Sequence, residues 1–151
     1  MKIGMILINR NGFPPDIRVE KELNVLSKSG HDISLLTGGP DVEEEKTFYW
    51  NSVKVVQKKI PYKKSLLQYF FLIHSSVISY IQDFIKDEEP DILHIHDFNY
   101  IPTTFKALED KKIPIIADLH ENMPAALLAY RSQNPFYKKF IESILFNYRV
   151  W

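Results

Sequence analysis

The sequence contains no cysteine. Disulfides, thiolate nucleophiles and zinc–thiolate centres are therefore excluded. An excess of charge of either sign is missing as well: Lys+Arg and Asp+Glu both total 19, so the formal net charge is zero. A nucleic-acid binder usually carries a strong basic surplus, so no nucleic-acid partner is expected. Glycine is scarce, with five in 151 residues. The first turn holds only Gly12, so neither a G-x-G-x-x-G dinucleotide loop nor a Walker A loop is present. Long apolar runs are lacking too. Ile3 to Ile8 is too short for a signal peptide and Asn9-Arg10 ends it. Leu66 to Gln82 holds no Asp, Glu, Lys or Arg, yet Gln68, His74, Ser75, Ser76 and Ser79 interrupt it too often for a bilayer span. A cytoplasmic protein is expected. The aromatic share is the one surplus: 13%, with ten Phe and eight Tyr.

A length of 151 residues suits a single domain over 1–151. Ile3 to Ile8 is apolar without alternation, the pattern of a strand covered on both faces. Gly12, Pro14 and Pro15 break it. From Asp16, a candidate N-cap, Val19, Leu23 and Leu26 recur at helical spacing, with Arg18, Glu20, Lys21 and Glu22 turned mostly to water. Gly30 marks the helix end, and Ile33 to Leu36 reads as a second buried strand. Phe48 to Trp50 and Val53 to Val56 read either as a hairpin around Asn51-Ser52 or as one strand with an irregular lead-in. Ser65 to Lys86 is predicted as one long helix, ended by Pro90. Asp91 to His96 is a strand, Pro102 to Lys112 a helix and Ile113 to Leu119 a further strand. A last helix starts at Asn134-Pro135 and reaches Trp151 without a stop signal, so the chain reads as cut. The order predicts an open, doubly wound α/β domain with a mostly parallel, Rossmann-like sheet.

In such sheets ligands bind at the carboxyl ends of the strands, where strand order reverses. Three ends carry suggestive residues: Asn9-Arg10-Asn11-Gly12, His94-Ile95-His96-Asp97 and Asp118-Leu119-His120-Glu121. Period-two geometry puts His94 and His96 on one face, and Asp118 and His120 on one face. His96 and His120, at the ligand edge, are functional candidates. His94, His31 and His74 read as structural. By residue type, His-x-His-Asp with a further His suits zinc or iron. No further cluster downstream completes such a set, so no metal is expected. Gly12 would let a phosphate or sugar approach the N-terminus of the first helix.

The stretch Gly12-Phe13-Pro14-Pro15-Asp16-Ile17-Arg18-Val19-Glu20-Lys21-Glu22, then Leu26 and Gly30-His31-Asp32-Ile33, resembles the N-terminal domain of family-4 glycosyltransferases, retaining enzymes of the GT-B fold. The likeness continues through Pro90 to Asp97 and Ile115 to Glu121. It implies a truncated N-terminal half of a GT-B enzyme that binds the acceptor, with the nucleotide-sugar domain absent. It also implies front-face transfer, in which the departing phosphate helps to deprotonate the acceptor and the protein supplies positioning and charge stabilisation. His120 then lies near the transferred sugar, and Asp97 and Glu121 serve acceptor hydroxyls or orient the histidines. Asn11, Gly12 and His96 are placed in substrate binding. The nucleotide sugar enters as substrate, and no cofactor is implied.

Lys54, Lys58, Lys59, Lys63 and Lys64 precede the long helix, which is read as a core helix or as partly interfacial. In the second reading Tyr62, Tyr69 and Phe71 sit at headgroup level and an anionic membrane surface is a partner. The expected function is sugar transfer from a nucleotide sugar to a glycan or lipid-linked acceptor in surface polysaccharide synthesis, with residues 1–151 alone inactive. A non-catalytic or partner-dependent sugar- or nucleotide-binding domain, and a GT-B-fold nucleotide-sugar epimerase, stand as alternatives.

Overall fold

A computed structural model describes residues 1–14, 17–61 and 73–119 of the chain. The first strand, β1 (Lys2–Ile8), is buried at every position after Lys2, as its unbroken apolar run requires. Helix α1 (Ile17–Lys28) turns Val19 and Leu23 inward. It is followed by β2 (Asp32–Gly39), buried after Asp32. Strands β3 (Lys46–Trp50) and β4 (Val53–Lys59) form an antiparallel hairpin. Asn51 and Ser52 both adopt positive φ, 47° and 70°, as a two-residue hairpin turn demands. The hairpin reading of this segment is therefore the correct one.

Helix α2 (Ser75–Glu88) follows. It does not continue back through His74, which has φ −91° and ψ 87° and stands at the N-cap. The His74 backbone N–H instead donates to Thr103 Oγ1 at 3.0 Å. A single helix from Ser65 to Lys86 is thus ruled out. Glu89 closes α2 in the left-handed region, donating its N–H to the Ile85 carbonyl, and Pro90 prevents continuation. Strand β5 (Ile92–His96), a 3-10 turn at Phe98–Tyr100, helix α3 (Ile101–Leu108) and strand β6 (Ile115–Asp118) complete the described elements. The Asp16 cap, residues 65–72 of the predicted long helix and the helix from Asn134 lie outside the described residues.

The six strands run in the order β3-β4-β2-β1-β5-β6, parallel except for β3. Helices cover both faces. Met5, Leu7, Leu35 and Val55 pack with Val19 and Leu23 of α1 on one face. Ile6, Leu36 and Leu93 pack with Val77, Ile81 and Phe84 of α2 and Leu108 of α3 on the other. The domain is a doubly wound, mostly parallel α/β sheet, and Met1–Asp118 packs as one compact unit. Phe13 lies edge-on to Phe48 and Trp50, with ring centroids 5.2 and 5.7 Å apart. Phe48 and Trp50 therefore find cover within the chain, whereas Tyr49 between them is exposed.

Strand order reverses beside β1. The chain moves outward from β1 through β2 to β4, then returns through α2 to place β5 on the other side of β1. Ligand crevices of open α/β sheets form at the carboxyl ends flanking such a reversal. Here those ends are Asn9-Arg10 after β1 and His96-Asp97 after β5.

Candidate functional site

The segment after β1 is held by its own side chains. The Gly12 N–H donates to Asn9 Oδ1 at 2.6 Å, and Asn9 Nδ2 donates to the Gly12 carbonyl at 3.1 Å. The Phe13 N–H donates to Gln57 Oε1 at 2.9 Å. Gly12 has φ +75°, and a Cβ there would lie 2.8 Å from Val42 and 2.9 Å from Gln57 Oε1. Glycine is thus demanded twice, by conformation and by space. Asn9 engages the Gly12 amide, while neighbouring Asn11 is exposed. Gly39 at the end of β2 lets this segment come close, since a Cβ there would collide with the Asn9 carbonyl.

A cavity of about 520 Å³ opens at this edge. Asn9 and Arg10 contribute from beyond β1, Asp41 from beyond β2, and His74 and Ser76 from the start of α2. Tyr100, beyond β5, completes the wall. Arg10 Nε donates to Asp41 Oδ2 at 3.0 Å, forming an exposed ion pair at the rim. The His74 and Tyr100 rings pack at 4.7 Å between centroids. Burial holds the His74 imidazole below its ordinary pKa, because a charged ring there loses hydration. The cavity thus joins a neutral imidazole and a phenol ring to one cation–anion pair. That mixture suits a ligand with hydroxyls and apolar ring faces.

His96 ends β5 fully buried. Its ring lies 4.4 Å from that of His94, on the same face, as the i, i+2 spacing predicts. Strand pairing sets His96 against Asp118 of β6. The Nδ1 atom lies 3.6 Å from Asp118 Oδ2, and Nε2 lies 3.7 Å from Glu22 Oε2 of α1. The two strand ends are therefore spatial neighbours. Asp97 follows with φ 74° and ψ 128°, a conformation costing a non-glycine residue on the order of 1–3 kcal/mol. Such strain collects where side chains are placed for function.

The described residues bring Asn11 and Gly12 to one carboxyl end and His96 and Asp97 to another. His120 and Glu121 lie outside them. Glu22, Arg10, Asp41 and Tyr100 escaped sequence reasoning as site residues. For Tyr100 the available signal was its place four residues beyond the β5 end. Glu22 gave none, since helical periodicity turns it to water, whereas its Oε2 atom is in fact buried.

Among the basic residues before α2, Lys54 Nζ pairs with Glu88 at 2.7 Å and Lys58 Nζ with Glu45 at 3.5 Å. Tyr62, Lys63, Lys64, Tyr69 and Phe71 lie outside the described residues. Among the described residues no helix is long and apolar enough to cross a membrane.

The family model for Glycosyltransferase Family 4 matches residues 18–150. No curated protein sequence matches the chain. Among solved structures, a sucrose-phosphate synthase from Thermosynechococcus elongatus superposes with a TM-score of 0.65 at 10% sequence identity. The match covers 93% of this chain and 39% of that protein, so the chain spans about two fifths of its neighbour's length. At that identity the likeness is one of fold.

Proposed function

Since the chain belongs to glycosyltransferase family 4, we propose that it is the acceptor-binding domain of a retaining, hexosyl-transferring enzyme acting in surface polysaccharide synthesis. The donor is a nucleotide sugar and the acceptor a glycan or a lipid-linked glycan. A second domain would hold most of the donor.

The observation that carries this reading is the cavity beside the strand reversal, with its His74–Tyr100 wall and Arg10–Asp41 rim. An aromatic wall stacks on the apolar face of a pyranose, while Asn9, Ser76 and the ion pair offer donors and acceptors to its hydroxyls. Front-face transfer needs little covalent chemistry from the protein. The departing phosphate takes the acceptor proton, and the domain supplies orientation and charge stabilisation. Asn11 and Gly12 bound the donor side of the crevice. Asp97, held in its strained conformation, addresses acceptor hydroxyls, and His96 acts from beneath through Asp118 and Glu22. His120 and Glu121 sit in sequence immediately after the β6 end and are assigned to the transferred sugar and the acceptor. An anionic membrane surface presents the lipid-linked acceptor.

The test is a screen of nucleotide sugars and acceptors on the full-length protein, with the product anomer read by NMR. Transfer with retained configuration is expected, and His120→Ala should depress it at least about 100-fold without changing the circular dichroism spectrum. An inverted product, or hydrolysis or epimerisation of the donor without transfer to any acceptor, overturns the reading. Residues 1–151 alone should turn over no nucleotide sugar. Sedimentation with anionic vesicles at low salt tests the membrane contact, and failure to co-sediment removes it.

A further inference from the structure

The side chains on the α1 face of β5 and β6 form a ligand set of their own. His94 and His96 project from β5 two residues apart, Asp118 stands beside His96 on β6, and α1 lays Glu22 across them. One donor atom from each of the four lies within 4.8 Å of all the others. Three separate elements converge here, so chain proximity alone does not produce the cluster.

The spacings exclude direct hydrogen bonds between His96 and the two carboxylates. At 3.7 Å to Glu22 and 3.6 Å to Asp118 the contacts exceed the range of a charge-assisted N–H···O bond. They do approach the separation of two ligands on one ion. Atoms each about 2.0–2.1 Å from a tetrahedral zinc lie about 3.4 Å apart. Glu22 Oε2 is shut off from solvent and accepts no hydrogen bond among the described residues. A buried carboxylate oxygen without a hydrogen bond is expensive, and a cation is what would compensate it.

An imidazole gives one ion one nitrogen, and the other is left to a neighbour that fixes the ring. His96 Nε2 faces Glu22 and Nδ1 faces Asp118. We propose that Glu22 Oε2, His94 and His96 Nε2 bind a divalent transition-metal ion, with the Asp118 carboxylate, 3.6 Å from His96 Nδ1, orienting the ring electrostatically as a positioning residue. Two imidazoles and one carboxylate suit zinc, iron(II) or manganese(II), and zinc is the strongest binder of the three in such sites. Magnesium, which takes oxygen ligands and keeps its waters, is disfavoured. Three protein ligands leave a fourth position free. The Glu22 side chain is 31% exposed, so the site has an entry path from the surface of α1.

The experiment titrates the full-length protein, stripped with a chelator, with Zn²⁺ and Mg²⁺ by calorimetry, and with Co²⁺ to read its visible ligand-field bands. One Zn²⁺ per chain is expected, Co²⁺ bands of a four-coordinate site should appear, and Mg²⁺ should give no heat. His94→Asn and Glu22→Gln alter partly exposed side chains, and each should abolish stoichiometric binding with the circular dichroism spectrum unchanged. Asp118→Asn should keep the stoichiometry and weaken affinity about 10–100-fold. His31→Gln, outside the cluster, should bind as the parent does. Absence of stoichiometric Zn²⁺ binding, equal binding of Mg²⁺, or undiminished binding by His94→Asn and Glu22→Gln overturns the site. In those cases the cluster is a histidine set between two carboxylates and nothing more.

Discussion

Asn9 and Gly12 hold one another in both directions, the Gly12 N–H on Asn9 Oδ1 and Asn9 Nδ2 on the Gly12 carbonyl. The loop that leaves the central strand is thereby shaped before any ligand arrives. Asn9→Ala removes both bonds and is expected to cost about 1–3 kcal/mol. Gly12→Ala adds a left-handed alanine pressed against Val42 and Gln57, and should cost at least as much. Urea unfolding of the two variants checks this. Ligand affinity at the cavity should fall in both, because Asn9 lines it.

His74 should make stability fall in weak acid. Burial keeps its folded-state pKa below the ordinary value. As pH drops below about 6.5 the unfolded chain takes up this proton first, which favours unfolding. The penalty is absent above that pH and grows until the folded-state pKa is reached. A cation here would also face the N-terminus of α2, where the helix dipole opposes it. His74→Phe keeps a ring against Tyr100 and should flatten the loss between pH 7.5 and 5.5, as measured by urea midpoints. An unchanged slope would discount His74 as its source.

Lys54 and Glu88 join β4 to the last turn of α2 at 2.7 Å. The hydrogen bond to Glu88 raises the Lys54 pKa, so this contribution is complete at neutral pH and is lost only as pH rises past the folded-state value. Since the Lys54 side chain is 35% exposed, solvent screens the pair. A double-mutant cycle with Lys54→Met and Glu88→Gln should return a coupling of about 0.5–1 kcal/mol. A value near zero would leave packing as the sole tie between these elements.

Asp97→Gly should separate stability from activity. Glycine adopts φ 74° freely, which relieves strain while adding entropy to the unfolded chain. The melting temperature is expected to stay level or rise, and sugar transfer by the full-length enzyme to fall at least about tenfold. A variant that transfers normally would remove Asp97 from the site.

Much of the frame was legible from residue pattern. The unbroken apolar run at Ile3 to Ile8 marked the central strand, Asn51-Ser52 offered a hairpin turn as one of two readings, and His94 and His96 were bound by strand geometry to share a face. Two features were hidden for different reasons. The apolar face of Ile73, Val77, Ile81 and Phe84 keeps helical spacing across His74, so periodicity cannot register the break there. Ser75-Ser76, residues favoured at helix starts, was the local sign. Glu22 was hidden by distance: its approach to His96 depends on where α1 crosses the sheet, which no local pattern encodes. The cavity has the same origin, since its wall draws on β1, β2, α2 and the turn after β5.

The central position of β1 also bears on how the protein is made. Ile3 pairs with Ile33 on one side and Ile92 on the other. During synthesis the first pairing becomes available early, whereas the second must wait for some sixty further residues, roughly 3–12 s at ordinary elongation rates. Through that interval the middle of the finished sheet is an open edge of bare amides and carbonyls between apolar faces, the kind of edge that recruits stray strands. The nascent chain is most vulnerable along the strand that ends up best protected.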